Sequence, residues 1–167
     1  MKINIVNKSS FDLPRYETDG SVGIDLKADL KMYDKSEYDP IDDKTFLNLE
    51  PHKIYIIPTG IFISLPEPVP SSSAGDGWGY EAQIRPRSGM CAKHGVSVLN
   101  TPGTIDPDYR GEIKVIIINQ TNIPYRIEHG DRIAQMVMNR YERISWNVVD
   151  NLDETDRGEG GFGSTGK

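Results

Sequence analysis

The apolar and β-branched residues of this chain come only in short runs cut off by turn formers. Residues 53–65 read Lys-Ile-Tyr-Ile-Ile-Pro-Thr-Gly-Ile-Phe-Ile-Ser-Leu, and residues 112–119 read Glu-Ile-Lys-Val-Ile-Ile-Ile-Asn. No segment keeps a helical apolar period for three turns. Pro and Gly punctuate the chain every ten or so positions, a spacing of about 8–12 residues being that of sandwiches and barrels. The pattern therefore predicts an all-β chain. One short helix is expected over 88–95, where Ser88 suits an N-cap and Gly95 the position after the last turn. The run 115–118 is apolar on both faces, so something must cover its second face. Either it is a central strand between two sheets, or a second copy of the chain packs on it.

Composition narrows the class. A length of 167 residues fits a single domain spanning 1–167, and 37% hydrophobic residues with 16 Gly exclude disorder throughout. No stretch approaches the roughly 18 apolar residues of a membrane span, and residues 1–6 are too short for a signal-peptide core, so no membrane role and a cytoplasmic location are expected. The formal charge of −6 opposes binding to extended nucleic acid. Cys91 stands alone, and with His52, His94 and His129 it forms no zinc-ligand spacing. Residues 31–44, with five acids, and 67–79, rich in Pro, Ser and Gly, lack an apolar face and read as surface loop insertions.

Three clusters carry chemistry. The C-terminal run from Arg157 contains Gly158, Gly160 and Gly163 at dinucleotide-fingerprint spacing, but only four residues follow Gly163, so no βαβ unit can form around it. Such a segment can instead close over a bound ligand: glycine backbone presents N–H groups to phosphate, Arg157 a forked cation, and Phe162 a ring for a base. Next, Arg85-Pro-Arg-Ser-Gly89 places two guanidinium groups and a hydroxyl before the short helix, a pattern suited to a phosphate or to a tight turn with surface arginines. Last, residues 100–112 gather turn formers around Asp106 and Asp108, which predicts a hairpin. There Asp106 is a candidate general base and Asn100 an amide able to read a base edge, unless both serve local turns.

Taken in order, Gly23-Ile-Asp-Leu26, Arg85-Pro-Arg-Ser-Gly89, Gly103-Thr-Ile-Asp-Pro-Asp-Tyr-Arg-Gly-Glu112, Gly130-Asp-Arg-Ile-Ala-Gln-Met-Val137 and Arg157-Gly-Glu-Gly-Gly-Phe-Gly-Ser-Thr-Gly166 resemble the five motifs of trimeric deoxyuridine triphosphatases. Val22 and Ile24 stand where that family usually has alanine and an aromatic residue. The resemblance implies a β-clip or distorted jelly-roll subunit, a homotrimer with shared active sites, and residues 157–167 as a flexible lid reaching a neighbour's site. It implies hydrolysis of dUTP to dUMP and pyrophosphate, which limits uracil in DNA and supplies dUMP for dTMP synthesis.

By the same resemblance Asp106 activates the attacking water, and Tyr109 packs on the deoxyribose and excludes a 2′-hydroxyl. Asn100 and main-chain groups between Thr104, Ile105 and Lys114 pair with uracil, while Phe162 stacks on it. Arg87, Ser88, Gly89, Gln135, Arg157, Gly163, Ser164 and Thr165 hold the triphosphate. Mg²⁺ is carried by phosphate oxygens rather than by a protein cage. Asp25 either touches ligand or buttresses the first motif. A dCTP deaminase is the related alternative, although that group usually shows Arg-Ser-Ser where this chain has Arg87, Ser88 and Gly89. A non-enzymatic β-sandwich binding module is the other.

Overall fold

The computed structural model describes residues 1–32, 46–71 and 75–161. Strands dominate, in the order β1 (Asn4–Asn7), β2 (Gly23–Lys27), β3 (Phe46–Leu49), β4 (Ile54–Pro58), β5 (Ile61–Ser64), β6 (Val69–Pro70) and β7 (Gly77–Arg85), then helix α1 (Ser88–His94), then β8 (Val96–Val98), β9 (Gly103–Ile105), β10 (Lys114–Asn119), β11 (Tyr125–Glu128) and β12 (Arg132–Arg143). A single 3-10 turn, Leu30–Met32, follows β2. Among the described residues the chain adopts the expected class, all-β with one short helix. Among the described residues no helix is long and apolar enough to cross a membrane.

The strands form small antiparallel sheets. β10 lies between β4 and β8, β1 pairs with β5, β11 with β3, and the largest sheet runs β2-β12-β7-β6, with β9 also bonded to β7. Their inward faces meet in one apolar cluster that includes Leu26, Leu49, Ile57, Ile84, Val115, Ile117, Ile127 and Ile133. Alternation explains the assignment: in β10, Val115 and Ile117 are fully buried while Ile116 and Ile118 are half-buried. β10 is thus a central strand with one face in the core. Its other face lies across from Ile56 and Ile54 of β4 and is only half covered within the chain.

Three expectations change. Residues 67–79 are a loop only in part, because 69–70 form β6 and 77–79 open β7. Gly77 allows this close pairing: its Cβ would overlap the Val69 carbonyl oxygen. The hairpin expected within 100–112 is a connection between sheets instead. β9 bonds to β7, whereas β10 bonds to β4 and β8, so the intervening residues leave one sheet and enter another. Finally, the N-cap of α1 is Arg87, with extended backbone (φ −86°, ψ 128°) and no side-chain cap bond; Ser88 is the first helical residue. Gly95 closes the helix in the left-handed region as expected (φ 60°), its N–H bonding the Cys91 carbonyl at 3.1 Å. Of the insertion at 31–44, all but the first two residues lie outside the described residues.

The turn from β4 to β5 is the best-braced joint near the site. Gly60 has φ +68°, and a Cβ there would stand 2.6 Å from the Ser9 backbone. Its carbonyl accepts the Lys8 N–H at 2.8 Å. Gly60→Ala is therefore expected to cost at least about 2 kcal/mol, from left-handed strain plus overpacking, and to lower the thermal midpoint measurably by calorimetry.

Candidate active site

Strand β7 has β12 along one edge and β9 along the other, and a group of polar residues lies on each side of it. On the β9 side, Thr104 and Ile105 sit opposite Gln83 and Ala82, and Asp106 follows where the chain leaves the sheet. The Asp106 carbonyl accepts the Tyr109 N–H at 3.2 Å, closing a tight turn. The Arg110 guanidinium staples that turn by donating to the Pro107 carbonyl at 2.7 Å and the Tyr109 carbonyl at 3.0 Å. The Asp106 carboxylate itself is exposed and makes no hydrogen bond or ion pair among the described residues. Thr104, Ile105, Asp106, Tyr109, Glu112 and Lys114 line a single open depression of about 280 Å³, floored by Ile56 and Ile116. Asn100 lies near its strand: a Cβ on Gly103 would be 3.1 Å from the Asn100 amide nitrogen.

Glu112 was not singled out by sequence, yet it ties this connection down. One carboxylate oxygen accepts the backbone N–H groups of Thr59 (3.1 Å) and Gly60 (2.8 Å). The Glu112 carbonyl accepts the Tyr109 hydroxyl at 3.0 Å. No local pattern could reveal such a link, since the partners are more than fifty residues apart.

On the β12 side, Arg87 Nε donates to Asp25 Oδ1 at 2.9 Å, and Arg132 Nη1 approaches Asp25 Oδ2 at 3.2 Å. Asp25 thus holds two guanidinium groups, and Glu17 also approaches Arg132, at 3.8 Å. In the structure Asp25 therefore ties the start of α1 to β12 through Arg87 and Arg132. Gln135 is half-buried and donates to the Pro86 carbonyl at 3.0 Å, bracing the start of α1. Gly23, two residues before Asp25 on β2, leaves room for that amide, because a Cβ there would overlap Gln135 Oε1 unless the side chain moved. Ser88 and Gly89 are exposed at the first turn of α1, and the space beside Gly89 is open. Behind Arg87, burial pushes the Tyr125 hydroxyl pKa above its usual value and Asp131 adds to this, with Arg87 opposing.

The two groups are not one site within the chain. The depression around Asp106 includes neither Arg87 nor Gln135, and its volume lies below the roughly 300–1,000 Å³ of ordinary ligand pockets. Arg157 donates to the Gly160 carbonyl at 2.8 Å in an exposed C-terminal stretch, and Phe162, Gly163, Ser164 and Thr165 lie outside the described residues. Among the described residues no group of three or more His, Cys, Asp or Glu could hold a metal ion.

A family model described as dUTPase matches residues 41–166. The chain belongs to the dUTPase family. Curated relatives named deoxyuridine 5′-triphosphate nucleotidohydrolase include one from Finegoldia magna, 48% identical over 166 residues and covering 99% of each chain. Another, from Fusobacterium nucleatum, is 42% identical over 167 residues and covers 100% of this chain and 98% of its own. Among solved structures, the dUTPase of Staphylococcus bacteriophage 80alpha with dUpNHpp superposes with a TM-score of 0.75 at 23% identity, over 99% of both chains. At that identity the likeness is one of fold, and it places the all-β architecture among the dUTPase structures.

Proposed function

We propose that the chain hydrolyses dUTP to dUMP and pyrophosphate, with Asp106 as the base that activates the attacking water. The observation that carries this reading is the Asp106 carboxylate, without a partner among the described residues, sharing one depression with Tyr109, Thr104 and Ile105 in a chain of the dUTPase family. The water oxygen forms a bond to the α-phosphorus as the bond to the bridging oxygen breaks. The water proton passes to Asp106, and the electron pair leaves with pyrophosphate. Such a reaction gains most from fixed geometry and from cations on the phosphate oxygens, and one carboxylate with several guanidinium groups supplies both.

The remaining roles follow the motifs. Tyr109 packs on the deoxyribose and leaves no room for a 2′-hydroxyl, while Asn100 with the main chain from Thr104 and Ile105 to Lys114 reads uracil. Arg87, Ser88, Gly89 and Gln135 receive the triphosphate, and Asp25 releases part of its hold on Arg87 to it. Arg157 with Phe162, Gly163, Ser164 and Thr165 closes over the nucleotide. Mg²⁺ fits a donor set without a carboxylate cage because the phosphates bring most of its oxygens, and it would supply further charge neutralisation there.

We read residues 1–167 as one domain that works as a homotrimer. Two observations support this. The half-covered face of β10 continues into exposed Ile54 (48%) and Leu99 (44%), and the stretch beyond β12 leaves Ile144, Trp146, Val148 and Leu152 exposed, Trp146 at 85% and Val148 at 92%. A neighbour covering them would also complete the small depression around Asp106.

A nucleotide panel with Mg²⁺ tests the reaction. Pyrophosphate is expected from dUTP, with dCTP, dTTP and UTP each at least about a hundredfold poorer in kcat/KM, since buried groups matched to one base and one sugar reject others strongly. Ammonia from dCTP would overturn the assignment in favour of a deaminase, and an inert panel would favour a binding module.

A further inference from the structure

We propose that Glu112 is the positioning residue for Tyr109, and through it for discrimination against ribonucleotides; this rests on Tyr109 being the ring that packs on the sugar. The residue works as a two-ended link. Its carboxylate oxygen Oε1 accepts the N–H groups of Thr59 and Gly60, charge-assisted bonds that are the stronger class of hydrogen bond. That turn cannot drift: the Pro58 carbonyl accepts the Asp29 N–H at 2.9 Å, and Gly60 is pinned by Lys8 and by the Ser9 backbone. At the other end, the Glu112 carbonyl accepts the Tyr109 hydroxyl. The ring lies over Gly111 so closely that a Cβ there would overlap the hydroxyl oxygen and its ring carbon.

Tyr109 therefore takes its place from the Glu112 backbone, and that backbone takes its place from the carboxylate. The next bond in the chain reinforces this, the Ile113 N–H donating to the Ile61 carbonyl at 2.8 Å. A ring that excludes a hydroxyl by contact loses that ability when it shifts by a fraction of an ångström. Hydrolysis itself, resting on Asp106 and the phosphate contacts, is less exposed to such a shift.

The full-length chain should be assayed with dUTP and with UTP, wild type beside Glu112→Ala, Glu112→Gln and Gly111→Ala, with thermal midpoints measured on each. In Glu112→Ala the ratio of kcat/KM for dUTP to that for UTP is expected to fall about tenfold or more, the loss of one packing-based discrimination. Glu112→Gln keeps an acceptor oxygen at the same place and should hold the ratio within about threefold. Gly111→Ala displaces the ring without touching the carboxylate, and should lower the ratio like Glu112→Ala even if the latter folds poorly. An unchanged ratio in Glu112→Ala with only a lower midpoint, or Glu112→Gln as damaged as Glu112→Ala, overturns the proposal. A wild-type chain inert toward dUTP, or a Tyr109→Ala variant with the wild-type ratio, would instead overturn the reading on which it rests.

Discussion

Asp106→Asn is expected to lower kcat for dUTP by about 10²–10⁴-fold, the usual worth of a positioned general base, with little change in stability. The substitution removes proton affinity and keeps shape. The turn that places the residue does not depend on the carboxylate, because the Tyr109 N–H bonds to the Asp106 main-chain carbonyl and Arg110 staples the same turn through other carbonyls. Nothing in the chain pairs with the carboxylate among the described residues, so no partner is left stranded by its loss. Nucleotide binding should persist or tighten slightly, since a negative charge is removed from beside a polyanion. Calorimetric titration with dUTP alongside steady-state assays separates the two effects. Wild-type turnover in the variant would remove Asp106 from the mechanism.

Removing residues 157–167 should produce the second large effect, a loss of about 10²-fold in kcat/KM for dUTP with the fold retained. The hydrogen bonds of Thr155, Arg157, Gly158 and Gly160 run among themselves rather than to the sheets. Among the described residues, none of these bonds reaches the core, and the thermal midpoint should stay near that of the intact chain. The loss would come from Arg157, the phosphate-facing glycine backbone and Phe162, all of which the reading assigns to closure over the nucleotide. Light scattering on each form should give about three times its own chain mass, 18.7 kDa for the intact chain, because the exposed stretch through Leu152 is kept. Full activity in the truncated form would make the segment a tail without catalytic duty, and a monomer would contradict shared sites.

Much of the architecture follows from short-range pattern. The apolar runs at 54–57 and 115–118 are strands because β-branched side chains fit a pleated, half-buried surface, and Gly95 ends α1 because only glycine enters the left-handed region cheaply. The one-residue shift of the N-cap to Arg87 is the ordinary uncertainty of a helix start. Two other departures have a common cause. A cluster of turn residues at 100–112 looks like a hairpin from within, but strand pairing is a choice among distant partners. β9 found β7 and β10 found β4, since β10 has an apolar face to bury in the core. Likewise 77–79 read as loop glycine, yet the absent side chains are what let β6 and the Tyr141 ring lie against the strand.

The candidate site divides the same way. Which residue types could do phosphate chemistry, and in what order along the chain, was legible as motifs: Arg87, Ser88 and Gly89 ahead of a helix, Asp106 and Tyr109 in a turn, Gln135 in a strand. Their identities carry donor, acceptor and charge, and these are local properties. Only the tertiary structure decided that Asp25 holds Arg87 and Arg132 together, that Glu112 is anchored to the turn at Gly60, and that the two halves of the site flank β7 without meeting. Those are contacts between residues separated by more than fifty positions. They are set by which apolar faces bury one another, and no window of sequence contains both partners.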